Sequence, residues 1–316
     1  MAKPKIIAVA GPTASGKSEL ALQLAQRFNG EIVCMDSMQI YRRMDIGTAK
    51  PTPAEQSVVP HHMLDIIEPT ETYAVADYAV QAEKVLHEIL SRGKLPIMTG
   101  GTGLYLKAIM HGLSLGGAPA DEALRQKFAQ IALEPDGRNV LHQKLAEVDQ
   151  VSADKLHPND IRRVIRALEV YELTGVPLSQ QTQEEAQGPF DVLPLAIDIP
   201  RPLLYERLET RVHAMMAAGL LSEVRSLLQE GVTAQMQSMQ GIGYKELIPV
   251  VEGQQTEDAA IWQIILNTRH YAKRQVTWLR NEPRIVWLTE NGAERLESAS
   301  QYVDAFMNDS KGTKES

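Results

Sequence analysis

Lys5-Ile6-Ile7-Ala8-Val9-Ala10-Gly11-Pro12-Thr13-Ala14-Ser15-Gly16-Lys17-Ser18 is the stretch on which the fold turns. Ile6 to Ala10 is an apolar run of strand length, and Ser18 to Phe28 reads as a helix carrying Leu20, Leu22 and Leu24 on its apolar side. Between them Gly11 to Ser18 matches G-x-x-x-x-G-K-[ST] in full. Glycines let the backbone wrap an anion so that successive amides point inward, and the helix that follows aims its positive end at the same place. Lys17 adds a point charge, and Ser18 offers a hydroxyl ligand to Mg²⁺. At average composition the pattern arises by chance roughly once in a hundred chains of this length. It predicts a bound phosphate or diphosphate and a metal ion, but it does not name a reaction.

Outward from this loop the chain alternates. Ile32 to Met35 is a second strand candidate ending at Asp36, Asp77 to Arg92 has helical spacing and stops at Gly93, and Leu95 to Met98 is a third strand closed by Thr99-Gly100-Gly101-Thr102-Gly103. Leu104 to Met110 opens another helix. The β-α-β-α order predicts an α/β fold, a P-loop NTPase-like core whose parallel sheet is flanked by helices on both faces. From Ala120 to about Gln187 the patterns are helical only, and a strand reading returns between Phe190 and Ile199. The expected organisation is therefore a first core part, residues 1–112, an inserted all-helical domain, 113–189, and a second core part with C-terminal helices, 190–316. The segment Gln183 to Gly188 reads as a linker and Asp309 to Ser316 as a disordered tail.

Composition narrows the setting. The 316 residues are 44% hydrophobic and carry a net charge of −8, so nucleic acid would have to be held by local basic patches and not by overall charge. One cysteine, Cys34, excludes an internal disulfide framework and fits a reducing compartment. No apolar run approaches the roughly 20 residues of a membrane span, and the apolar run near the N-terminus is short for a signal peptide. A cytoplasmic protein without membrane contact is expected. His61 and His62 are adjacent, not a ligand spacing, so no zinc is assigned.

P-loop NTPases commonly place a metal-holding acid at the end of a hydrophobic strand, yet Leu95 to Met98 ends in Thr99-Gly100-Gly101. The acid stands instead after the second strand, as Asp36 in Asp36-Ser37-Met38-Gln39-Ile40-Tyr41-Arg42. This segment, with Asp45-Ile46-Gly47-Thr48-Ala49-Lys50-Pro51, resembles the tRNA dimethylallyltransferase (tRNA isopentenyltransferase) family. So do Gly100-Gly101-Thr102-Gly103-Leu104-Tyr105, His157-Pro158-Asn159-Asp160 and Arg162 to Glu169. Gln240-Gly241-Ile242-Gly243-Tyr244-Lys245-Glu246, Thr268 to Gln275 and Thr277-Trp278-Leu279-Arg280 complete the resemblance in order along nearly the whole chain. It implies transfer of the dimethylallyl group of dimethylallyl diphosphate to N6 of the adenosine 3′ to a tRNA anticodon, on a P-loop core with a helical insertion.

On that reading Gly11, Pro12, Thr13, Ala14, Ser15, Gly16, Lys17 and Ser18 hold the diphosphate, with Ser18 on the Mg²⁺ cofactor. Asp36 accepts the proton of the attacking amine, Thr102 hydrogen-bonds the leaving oxygen or the amine, and the resemblance offers Arg211 as a further cation for the leaving diphosphate. The adenine must be flipped out of its stack, and Asp36, Ser37, Met38 and Gln39 are expected to meet it, Gln39 reading its edge. Phosphates of the anticodon stem-loop are expected on Arg162, Arg163 and Arg166, from a helix capped by Asn159 or Asp160, and on Arg269, Lys273, Arg274 and Arg280. Gln240, Gly241, Ile242, Gly243, Tyr244 and Lys245 would serve the RNA loop, with Tyr244 as a stacking face. The expected partners are tRNA and dimethylallyl diphosphate, with the protein acting as a monomer. Two rival readings are a P-loop small-molecule or nucleoside kinase and a non-catalytic RNA-binding protein switched by nucleotide.

Overall fold

The computed structural model describes residues 2–112, 120–181 and 188–309. The expected linker is described only at Gly188 and the expected tail only at Asp309; the rest of both lies outside the described residues. The described residues cluster as two compact units, one within residues 2–110 and 189–309 and one within residues 111–112, 120–181 and 188.

The first unit opens β1 (Lys5–Ala10), α1 (Lys17–Arg27), β2 (Gly30–Cys34), α2 (Pro53–Val58), β3 (His61–His62), α3 (Val75–Ser91), β4 (Leu95–Gly100) and α4 (Gly103–His111), the last residue of α4 lying in the second unit. The second unit holds α5 (Glu122–Leu133), α6 (Gly137–Val148), α7 (Gln150–Lys155), α8 (Ile161–Thr174) and α9 (Leu178–Gln181). The first unit resumes with β5 (Asp191–Ile197), α10 (Arg201–Ala217), α11 (Leu220–Gln229) and a 3-10 turn at Ser238–Gln240. It ends with α12 (Tyr244–Val251), α13 (Glu257–Arg280), β6 (Val286–Leu288) and α14 (Gly292–Asn308).

All named strand pairs are parallel, and the sheet order is β3-β2-β4-β1-β5-β6. Side chains alternate across β1. Ile7 and Val9 pack with Leu20 and Leu24 of α1 and Val303 of α14, while Ile6 and Ala8 join the core under Tyr78, Leu86, Leu247 and Ile264. Burial on both faces explains why β1 reads as a continuous apolar run. The register sets Ala10 beside Gly100 and Cys34 beside Thr99, so the P-loop, the Asp36 segment and the Gly100–Gly103 loop leave one edge of the sheet side by side. That carboxyl edge is where open α/β sheets bind ligands.

The second unit has its own core of Phe128, Leu141, Leu145, Val164 and Leu168. Glu169, fully buried there, accepts from Arg125 at 2.8 Å, Arg166 at 2.6 Å and the Asp121 amide at 2.8 Å. A buried carboxylate needs such partners. Asp160 stands at the N-cap of α8, but its side chain makes no capping bond, and neither does that of Asn159. Two elements have no signal in the apolar pattern. β3 is two residues long, and α2 has no buried residue and is set by a Thr52–Glu55 capping box with Pro53 behind it.

The loop between β2 and α2 is held from α11. Glu223 accepts the amides of Asp45, Ile46 and Gly47 at 3.0, 2.8 and 3.2 Å, and the Tyr244 hydroxyl at 2.6 Å. A Cβ on Gly47 would meet the Tyr244 ring at 2.6 Å. Gly47→Ala is therefore expected to cost about 1–3 kcal/mol in a urea unfolding titration, as overpacking does. A midpoint equal to that of the unmodified chain would show that the ring gives way freely.

Candidate active site

Gly16 takes φ +91°, where any Cβ is strained, and turns the P-loop into α1. Inside the loop the Ser15 hydroxyl is wholly buried and lacks a hydrogen-bond partner. Lys17 Nζ donates to the Pro12 carbonyl at 3.3 Å. Burial lowers its ammonium to a pKa of about 8, against a smaller raising effect of Asp36; Arg211 lowers it further. The Arg211 guanidinium is lowered as well, by burial first, with Asp36 opposing. Thr13, Lys17, Ser18, Asp36, Gln39, Thr99 and Arg211 line one cleft. Two desolvated cations thus share one carboxylate, and an anion entering the cleft would relieve them.

Asp36 accepts the Met38 amide at 2.9 Å through Oδ1, which leaves Oδ2 for other work. The Thr102 hydroxyl accepts the Ser37 amide at 3.0 Å and reaches Ser37 Oγ at 3.3 Å, so the loops after β2 and β4 are latched beside Asp36. Two residues that sequence reasoning passes over complete this wall. The Tyr271 hydroxyl bonds Thr102 and Gln275, and burial, then Asp36, holds it well above the usual phenol range. Gln275 accepts the Thr13 amide at 3.0 Å and donates to the Gly101 carbonyl at 2.9 Å. Both lie in the Thr268–Gln275 run, where the cations are what stands out in the sequence.

Several residues expected at the RNA or the base fall elsewhere. Gln39 lines the cleft, yet its amide donates to the Thr48 and Ala49 carbonyls at 3.1 and 3.2 Å and accepts from Cys34 Sγ at 3.2 Å. Both its N–H groups are committed here, so without RNA it buttresses the loop. Tyr244 is buried, its ring against Gly47 and its hydroxyl on Glu223; it is no stacking face. Gly241 and Gly243 are buried too, a Cβ on Gly241 meeting Met38 Cε at 2.6 Å, while Ile242 is half-buried. Gln240 and Lys245 are exposed, Gln240 donating to the Ala234 carbonyl at 2.6 Å. Met38 packs against the core. Arg166 serves Glu169 in the second unit, as described, whereas Arg162 and Arg163 are exposed, Arg163 lying 3.2 Å from Asp160.

On α13, Arg269 turns to Glu209 at 2.8 Å with its guanidinium over the Tyr205 ring. Arg274 lies over the Tyr271 ring, 5.8 Å from its centroid. Lys273 and Arg280 line a separate cavity of about 490 Å³ with Pro12, Asp198, Arg201 and Tyr205. Among the described residues no cluster of three or more His, Cys, Asp or Glu could cage a metal. Ser18, exposed at the mouth of the cleft that also holds Asp36, still fits Mg²⁺, an ion held mostly by phosphate oxygens and water. His61 bonds the Val59 carbonyl and His62 bonds Glu31, each at 2.7 Å.

A parallel sheet, a P-loop and a carboxylate across the same cleft define a P-loop α/β protein of the group-transfer type, with a helical unit inserted after α4. The family model described as IPP transferase matches residues 39–282. A tRNA dimethylallyltransferase of Trichlorobacter lovleyi is 47% identical over 304 residues, 95% of this chain and 99% of that protein. The crystal structure of a full-length tRNA isopentenylpyrophosphate transferase from Bacillus halodurans is similar with a TM-score of 0.72 at 39% identity, covering 96% of each chain. A eukaryotic dimethylallyltransferase solved acting on tRNA reaches a TM-score of 0.81 at 32% identity, over 99% of this chain and 80% of that one. The chain belongs to the IPP transferase family.

The lowered pKa of Lys17 has a sign that can be checked. The unfolded chain holds this proton up to about 10.5, the folded one only to about 8, so the charged lysine destabilises the fold at neutral pH. Lys17→Met should raise the unfolding free energy by roughly 1–3 kcal/mol while abolishing pyrophosphate binding. Calorimetry of pyrophosphate binding near pH 9, in two buffers of different ionisation enthalpy, should report proton uptake that is absent near pH 7. Equal uptake at both pH values would remove the lysine from the anion site.

Proposed function

We infer that this chain transfers the dimethylallyl group of dimethylallyl diphosphate to N6 of the tRNA adenosine immediately 3′ to the anticodon, releasing diphosphate. The observation that carries this reading is that Lys17 and Arg211, poor in counter-charge, face Asp36 across one cleft. A kinase that merely activates a hydroxyl would not need the cations of α8 and α13, and the relatives are transferases acting on tRNA.

The diphosphate lies in the P-loop on its backbone amides, with Ser15 Oγ and Thr13 inside the loop and Lys17 and Arg211 beside it. As the allylic C–O bond breaks, negative charge grows on the leaving oxygens, where the two cations stabilise it more than in the ground state. Mg²⁺, held by Ser18, would neutralise further charge on the same oxygens. The N6 lone pair forms the new C–N bond, and its proton passes to the free oxygen of Asp36. Thr102 and the Tyr271 hydroxyl fix the wall against which the amine is set. The flipped base enters beside Ser37 and Met38. Phosphates of the stem-loop meet Arg162 and Arg163 in the second unit and Lys273, Arg274 and Arg280 on α13, while Arg166, Arg269 and Tyr244 act as structural supports. No described helix is long and apolar enough to cross a membrane. On this reading the protein acts on tRNA in the cytoplasm, as a monomer.

The test is direct. Labelled dimethylallyl diphosphate, Mg²⁺ and bulk tRNA are incubated with the protein, and the RNA is digested to nucleosides. Label is expected on N6-modified adenosine, and chelation of Mg²⁺ should remove it. Asp36→Asn keeps the bond from the Met38 amide, so transfer should fall about 10²- to 10⁴-fold with pyrophosphate and tRNA binding retained. Transfer at the original rate would exclude Asp36 as the base.

The cation assignments generate their own measurement. Lys273→Ala with Arg280→Ala should weaken tRNA binding and flatten the slope of log affinity against log salt by roughly one unit for each phosphate no longer neutralised. An unchanged slope would take both residues off the RNA.

A further inference from the structure

Gln275 stands on α13, and its buried amide bridges two loops. On one side Oε1 accepts the amide of Thr13, in the P-loop; on the other Nε2 donates to the carbonyl of Gly101, next to Thr102. The orientation of the amide is forced, because a flipped group would set N–H against N–H and oxygen against oxygen. The fit is tight. A Cβ on Gly101 would lie 2.1 Å from Nε2, and one on Gly103 would lie 2.3 Å from the Trp278 ring. Through Thr102 the second bond reaches the Ser37 amide and so the segment that carries Asp36.

We propose that Gln275 is a positioning residue that sets the separation between the diphosphate cradle and the wall that receives the amine. This rests on the transferase reading above. The physical reason is that the two loops leave different strands, β1 and β4, and beyond the register pair Ala10–Gly100 no backbone ladder joins them. One rigid amide of fixed length, wedged by glycine, does so instead. An error of about 1 Å between donor carbon and attacking nitrogen can cost roughly a hundredfold in rate without changing the affinity of either half.

Two variants test it. Gln275→Met keeps volume and loses the bonds to Thr13, Gly101 and Tyr271; kcat should fall about 10- to 100-fold, while pyrophosphate affinity by calorimetry stays within about threefold of the original. Gln275→Glu is a pH-dependent version of the amide. As the neutral acid it accepts from Thr13 and donates to Gly101; as the carboxylate it cannot donate. The titratable group bonded to this position is Tyr271 of α13; Arg274 and Asp36 face Tyr271, and Lys17 of α1 and Arg211 of α10 face Asp36 in turn. Transfer by Gln275→Glu, divided by that of the original protein at each pH, should rise about tenfold from pH about 8.5 to about 6, while the Gln275→Met ratio stays flat. A flat Gln275→Glu ratio, an unaltered kcat for Gln275→Met, or loss of pyrophosphate binding in proportion to loss of transfer would overturn the proposal. Absence of transfer by the unmodified protein would instead defeat the underlying reading.

Discussion

Two cations, Lys17 and Arg211, are held half-buried in one cleft around a single carboxylate, and much of the first unit follows from keeping them there. Partly desolvating an ammonium near another positive group is costly; burial first, and Arg211 with it, lowers the pKa of Lys17. The surrounding structure must be stable without the ligand that would relieve the charge. It is so because β1, from which the P-loop springs, lies within the sheet between β4 and β5 and is buried on both faces. The cleft thus rests on an element whose two faces are both buried.

The loops around the cleft lack that packing and are held by single polar residues. Glu223 gathers three successive amides of the Asp45–Gly47 turn, and the carbonyls of Thr48 and Ala49, which follow the turn, hold Gln39. Thr102 latches the Ser37 amide, and Gln275 ties Thr13 to Gly101. Each of these groups is well buried or half-buried, where a hydrogen bond left unmade is more destabilising than one in water. The same demand for close approach explains the glycines, since residues 47, 101 and 103 are where a side chain of a neighbouring helix occupies the space of a Cβ. Preorganisation here means that the walls do not have to move when the reacting groups arrive.

What the sequence discloses and what it hides divide along physical lines. The P-loop and Asp36 are legible because a strand, a glycine pattern and an acid at a strand end are local features, and the parallel sheet follows from their alternation. Glu169, Glu223 and Gln275 are not, because each takes at least one of its defining partners from 44 to 262 residues away in the chain. Nothing local distinguishes Arg166 from Arg162 and Arg163 except burial, and burial is decided by Glu169, three residues on and on the inner side of α8. Tyr244 misleads for a related reason. An aromatic flanked by glycines looks like a loop platform, yet here Gly47, distant in sequence, clears the space that buries its ring.

An acidic chain can hold a polyanion only if its cations are not already paired. The pairing pattern of the structure sorts them. Arg125 and Arg166 neutralise a buried glutamate, Arg42 and Arg43 pair with Glu68, and Arg269 answers Glu209. Such arginines bring little net potential to a ligand, since bringing a phosphate near them means competing with a carboxylate already bonded. Lys273 and Arg280 instead share a cavity wall with a single acid, Asp198, and Arg201 adds a third cation there. Counting basic residues along the sequence overstates the basic surface; subtracting those that serve internal carboxylates leaves a smaller set, and it is this remainder that an RNA backbone would feel.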